Sequence, residues 1–148
     1  MPIPDLNPEG FLPPGIHEGS LAELRARFGS FRGHDERVRL CARLEEMLEA
    51  MRRSGLFEAL LVDGSFVTAK AVPNDIDVLA LLKPGHDFER DLPMSEYALV
   101  SRGLLRRRYG FDVIVAERDS TLYKTYVEFF SRVRESPDTR KGLVQLRL

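Results

Sequence analysis

Apolar residues recur along this chain with two different periods, and the change between them marks out its elements. From residue 35 to 54, Val38, Cys41, Leu44, Leu48 and Met51 repeat at helical spacing, with Leu40 and Met47 widening the stripe. Glu and Arg fill the opposite side, so the pattern predicts a core helix, stopped by Gly55. Residues 57–62 and 76–82 are short, branched apolar runs between turn formers, which predicts two buried strands joined by a connector over 65–71 and closed by Pro73-Asn74. After an irregular, charged loop over 83–93, a helix is expected from 95 to 109, capped by Ser95 and stopped by Gly110. Residues 111–116 read as a third strand. Strand, helix, strand in that order predicts a right-handed crossover with the strands over 76–82 and 111–116 parallel. A last amphipathic helix over 122–133 places Tyr123, Tyr126, Val127, Phe129 and Phe130 in the core, and Ser136-Pro137-Asp138 breaks it. Residues 142–148 alternate as a strand at a sheet edge or against a partner.

The start of the chain behaves differently. Residues 1–17 are rich in proline and read as an extended arm packed on its own domain or on a partner, with His17 structural or solvated. Ser20 and Glu23 form a capping box for a short helix to Phe28, ended by Gly29. With 148 residues, 43% hydrophobic, the chain has room for one core. The expected fold is therefore a single α/β (α+β) domain over 1–148, a mixed sheet with flanking helices. It is too short for a catalytic domain plus a large substrate domain. Net charge is −1, so no global basic field points to nucleic acid, although 18 of the 22 basic residues are arginines. Arg102, Arg106, Arg107 and Arg108 read first as cations at a helix C-terminus and second as a patch facing nucleic acid or a partner. Cys41 is the only cysteine, which excludes an internal disulfide and a cysteine-rich zinc site. No secretory leader and no apolar run of about 18 residues is visible, so a cytoplasmic protein that does not cross a membrane is expected.

Chemistry concentrates in residues 60–82. Asp75 and Asp77 are two apart at the mouth of a strand, so both carboxylates belong to one face. Like charges held together repel unless a cation lies between them, and carboxylate oxygens are the ligands Mg²⁺ prefers. Gly64-Ser65, if it starts a helix, adds backbone N–H groups, a hydroxyl and a positive dipole end suited to phosphate. Separately, Gly-Ser is an ordinary turn and Asp-x-Asp an ordinary solvated strand end. In this order, between two apolar strands, they point to nucleotide chemistry.

The pattern Gly64-Ser65, nine residues, then Asp75-Ile76-Asp77 and an apolar run resembles the signature of the polymerase-β-like nucleotidyltransferase superfamily. Leu12-Pro13-Pro14-Gly15-Ile16-His17, Gly64-Ser65-Phe66-Val67-Thr68 with Lys70, and Lys141-Gly142-Leu143-Val144 further resemble a poorly characterised bacterial family of minimal nucleotidyltransferases. The superfamily resemblance implies a nucleotidyltransferase-type mixed sheet and a third carboxylate on a neighbouring strand, which Asp112 offers. It also implies metal-dependent transfer of a nucleoside monophosphate from an NTP, ATP first, to a hydroxyl acceptor. Asp75 and Asp77 would hold two Mg²⁺ ions, with Mn²⁺ an alternative, and Asp112 would complete one of them and act as base. Gly64 and Ser65 would grip the phosphates, with Lys70 a further contact and Arg140 and Lys141 weaker ones. Small relatives of this kind are often encoded with a partner protein, and some modify it as the antitoxin half of a toxin-antitoxin pair. The alternative is an antitoxin-like binding module that keeps the fold without turnover. Nucleic acid is the less supported acceptor.

Overall fold

The computed structural model describes residues 3–29, 35–70, 73, 75–133 and 136–148; the expected turn at Asn74 and the connector's end at Ala71 lie outside them. Helix α2 (Asp35–Ser54) packs Leu40, Cys41, Leu44, Met47, Leu48 and Met51 into the core, as its stripe predicts. At its first turn the pattern inverts, because Val38 is 53% exposed and Arg37 is fully buried. The reason is hydrogen bonding. The Arg37 guanidinium donates to the carbonyls of Phe28 at 3.2 Å, Phe66 at 2.7 Å and Thr68 at 2.9 Å, and to that of Lys70. Buried carbonyls without donors cost more than an exposed valine.

The main sheet has the order β1-β7-β2-β3-β4, built from β1 (Ile16–Gly19), β7 (Leu143–Arg147), β2 (Phe57–Asp63), β3 (Asp77–Leu82) and β4 (Asp112–Glu117). β3 and β4 are parallel, as the crossover predicts, and β2 runs antiparallel to both β3 and β7. The sheet is thus mixed. The C-terminal strand is not at an edge: β1, taken from the proline-rich arm, pairs parallel to β7 and covers it. α1 (Leu21–Leu24) carries the expected capping box of Ser20 and Glu23, then continues as a wider turn through Gly29.

Two helix predictions need correction. The single helix expected over 95–109 is two, α3 (Met94–Val100) and α4 (Arg102–Tyr109), because Ser101 adopts an extended backbone and its hydroxyl caps α4 at the Leu104 amide. Ser95 therefore caps nothing; Pro93 holds the N-cap position of α3. Helix α5 (Thr121–Ser131) leaves Phe129 63% exposed, against its expected place in the core. The Ser136-Pro137-Asp138 break belongs to β6 (Ser136–Arg140), which forms a small hairpin with β5 (Arg132–Val133).

Strand alternation divides the core between two faces. Leu60, Val62, Val78, Ala80, Val113 and Val144 pack under α1 and α2, while Ala59, Leu61, Leu79, Leu81, Ile114 and Leu143 pack with Phe130 of α5. Among the described residues no helix is long and apolar enough to cross a membrane.

Candidate functional site

The α5 face ends in charge. In the strand registers Asp63 lies opposite Asp77, and Asp77 lies beside Asp112. Ladder partners share a face, so these three carboxylates form a row where Leu61, Leu79 and Ile114 stand one step deeper. Asp63 was not singled out in the sequence. Its signal was present in the alternation Ala59, Leu61, Asp63, masked by the apolar run that precedes it.

Asp75 stands just before β3, and the Gly64-Ser65 loop is fastened to it. The Ser65 amide and hydroxyl each donate to Asp75 Oδ1 at 2.6 Å, and the Phe66 amide donates to the Asp75 carbonyl at 3.2 Å. Gly64 has φ +95°, and a Cβ there would lie 2.9 Å from the Asp75 carbonyl oxygen, so the close approach requires glycine. After Gly64 the chain makes only a three-residue turn, Ser65–Val67, whose amides are used within the loop. The helix-dipole part of the phosphate expectation therefore lapses.

Burial and repulsion act together on the row. Burial, then the neighbouring charges of Asp75, Asp63 and Asp112, push the Asp77 carboxyl up to about 6, against a smaller opposing pull from Lys141. Asp63 is also raised, chiefly by burial, with Lys141 opposing. Lys141 Nζ stands 3.0 Å from Asp63 Oδ1, an ion pair without hydrogen-bond alignment, and among the described residues that buried oxygen receives no hydrogen bond.

Asp112 is engaged differently. Arg102 in the first turn of α4 reaches both of its oxygens, Nε to Oδ1 at 2.7 Å and Nη2 to Oδ2 at 2.8 Å, and Arg106 stands 4.0 Å away. Arg102 is thus at a helix start, not in the C-terminal cation cluster expected of it. Arg140 pairs with Glu128 at 3.1 Å.

Asp63, Gly64, Ser65, Lys70, Asp75, Asp77 and Lys141 line a cleft of about 870 Å³ together with Phe129, Phe130 and Arg132; Asp112 is not in its lining. Among the described residues no three acidic, histidine or cysteine side chains are already gathered to chelate an ion. The donor set nevertheless suits a hard divalent cation: oxygen ligands, a buried Asp63 oxygen that Lys141 faces without a hydrogen bond, and an Asp77 carboxyl raised by burial and by like charge. Asp112 joins that set only if Arg102 moves aside.

No curated protein matches the chain significantly, and no solved structure does. A match over residues 4–147 shows that the chain belongs to a family of unknown function, DUF6932.

Proposed function

We propose that this chain is a metal-dependent nucleotidyltransferase with a polymerase-β-like sheet, moving a nucleoside monophosphate from an NTP to a hydroxyl acceptor. The observation that carries the proposal is the row of Asp63, Asp77 and Asp112 in register, with Asp75 tied to Gly64-Ser65 beside it. Clustered carboxylates repel one another unless cations or protons neutralise them, and perturbed acids in a cleft are candidates for functional sites.

Asp75 and Asp77 would hold Mg²⁺, with Asp112 completing the set. A divalent ion there supplies charge neutralisation for the triphosphate and acidifies the acceptor hydroxyl. Ser65 fixes the Asp75 carboxylate, and Gly64 lets the two segments approach. Lys70 and Lys141 line the cleft as cations for the phosphates. Asp112, once Arg102 swings away, takes the hydroxyl proton. The acceptor oxygen bonds to the α-phosphorus, the bond from that phosphorus to the bridging oxygen breaks, and pyrophosphate leaves.

The test supplies each α-labelled NTP with Mg²⁺ and, as acceptors, the neighbouring gene product and RNA. Label on one acceptor is the expected result. Absence of both transfer and NTP binding would overturn the proposal. One observation favours a second reading, a binding module without turnover: Arg102 occupies both oxygens of Asp112. On that reading an Asp77→Asn variant binds its partner protein as well as the parent does.

A further inference from the structure

The cleft that Asp63, Asp75 and Asp77 line is also lined by aromatic rings of α5. Phe130 is buried against Leu79, Leu81 and Ile114, and it anchors α5 to the sheet. Tyr126 lies edge-on to it at 5.7 Å between ring centroids. Phe129 rides on these two rings, 6.0 Å from Phe130 and 6.2 Å from Tyr126, and lines the cleft although it is 63% exposed. A lone exposed phenylalanine needs no explanation. One braced by two aromatic neighbours, in the same cleft as phosphate-binding candidates, offers an exposed ring to whatever occupies that cleft. Ligand sites combine such apolar walls with a few convergent polar groups.

We propose that Phe129 is the platform on which the heterocyclic base of the bound nucleotide stacks. This rests on the nucleotide reading of the cleft and adds a base subsite to it. With the triphosphate held by the carboxylates' cation and the two lysines, Phe129 is the exposed aromatic ring of the same cleft left for the base. A phenyl ring has no hydrogen-bonding group and reads area, not edges. The subsite therefore ranks bases by stacking surface: ATP and GTP bind more tightly than CTP and UTP, with little distinction within each pair.

Calorimetry with Mg-ATP and with inorganic Mg-tripolyphosphate separates the two halves of the ligand. The parent protein is expected to bind Mg-ATP roughly tenfold or more tightly than Mg-tripolyphosphate, the range of one base stacked on one aromatic ring. Phe129→Ala removes that advantage and leaves tripolyphosphate binding unchanged, while Phe129→Trp keeps it. Three results overturn the platform: Phe129→Ala retaining the parent's affinity for Mg-ATP, the parent binding both ligands equally, or the variant losing both ligands alike. If the parent binds neither ligand, the nucleotide reading itself falls and the platform with it. A thermal melt of Phe129→Ala matching the parent confirms that the comparison is between folded proteins.

Discussion

The parallel strands β3 and β4 have two ends, and the molecule treats them in opposite ways. At their carboxyl ends, where open α/β sheets usually bind ligands, a cleft of about 460 Å³ is lined by Leu82, Phe88, Leu92, Val115 and Leu122, with His86 and Glu117 among them. At their amino ends the larger cleft holds Asp63, Asp75 and Asp77, of which Asp63 is almost fully buried and Asp77 is pushed up to about 6. The first is lined mainly by apolar side chains. The second works against folding, since burying like charges without enough cations is unfavourable. Local conflict of this kind is expected at functional or strained sites, which is why the site is proposed at the amino ends.

Asp77→Asn tests this contrast most severely. Transfer is expected to fall at least about a hundredfold, the scale of losing one group that stabilises developing charge. The same change removes a repelled charge, so the metal-free protein melts at the same temperature or higher. The pH dependence is set by the sign of the shift. A carboxyl raised from its ordinary 3.8 to about 6 binds more protons folded than unfolded between those values. Stability of the metal-free protein therefore rises as pH falls from 7 toward 5, and Asp77→Asn flattens that rise. A variant that melts lower and still transfers nucleotide would make Asp77 a structural cap.

Next in size are two changes that act on the same end through stability. Lys141→Met leaves Asp63 buried without its cation, and breaking a buried pair from one side costs on the order of 3 kcal/mol. At about 2–4 °C per kcal/mol for a chain of this size, the melting temperature should fall by roughly 10 °C. Gly64→Ala demands a positive φ of a residue with a Cβ and presses that atom against the Asp75 carbonyl. The backbone part costs about 1–3 kcal/mol and the contact adds to it, so a drop of similar size is expected. Unchanged melts in both variants would mean that this end is not strained.

Much of this end was legible in the sequence because its signals are local. Asp75 and Asp77 sit in one turn and one strand, and the order of strand, helix and strand forces Asp112 alongside. What stayed hidden depends on contacts between distant segments. Arg37 looked like the polar side of an amphipathic helix, yet it is buried by carbonyls from residues 28 and 66–70. β1 lies in a proline-rich arm and becomes a strand only beside β7. Asp63 needs β3 opposite it to become part of a row, and Lys141 and Arg102 acquire carboxylate partners only through folding. Ser101 ended a helix that periodicity carried through, because a capping hydroxyl leaves no trace in the apolar stripe.

The mildest change tests the other end. Phe88 is 66% exposed on the loop after β3, and its ring meets His86 edge-on at 4.7 Å between centroids. Phe88→Ala deletes that contact and little buried surface, so stability should change by no more than about 0.5 kcal/mol, as for most surface positions. Nucleotide affinity and transfer should both stay at the parent's level, because the carboxyl-end cleft takes no part in the reaction proposed. Measured beside Asp77→Asn, this variant decides which end of β3 and β4 meets the substrate. A Phe88→Ala protein that melts normally but has lost Mg-ATP binding would return the ligand to the carboxyl ends and leave the acidic row without the role assigned to it.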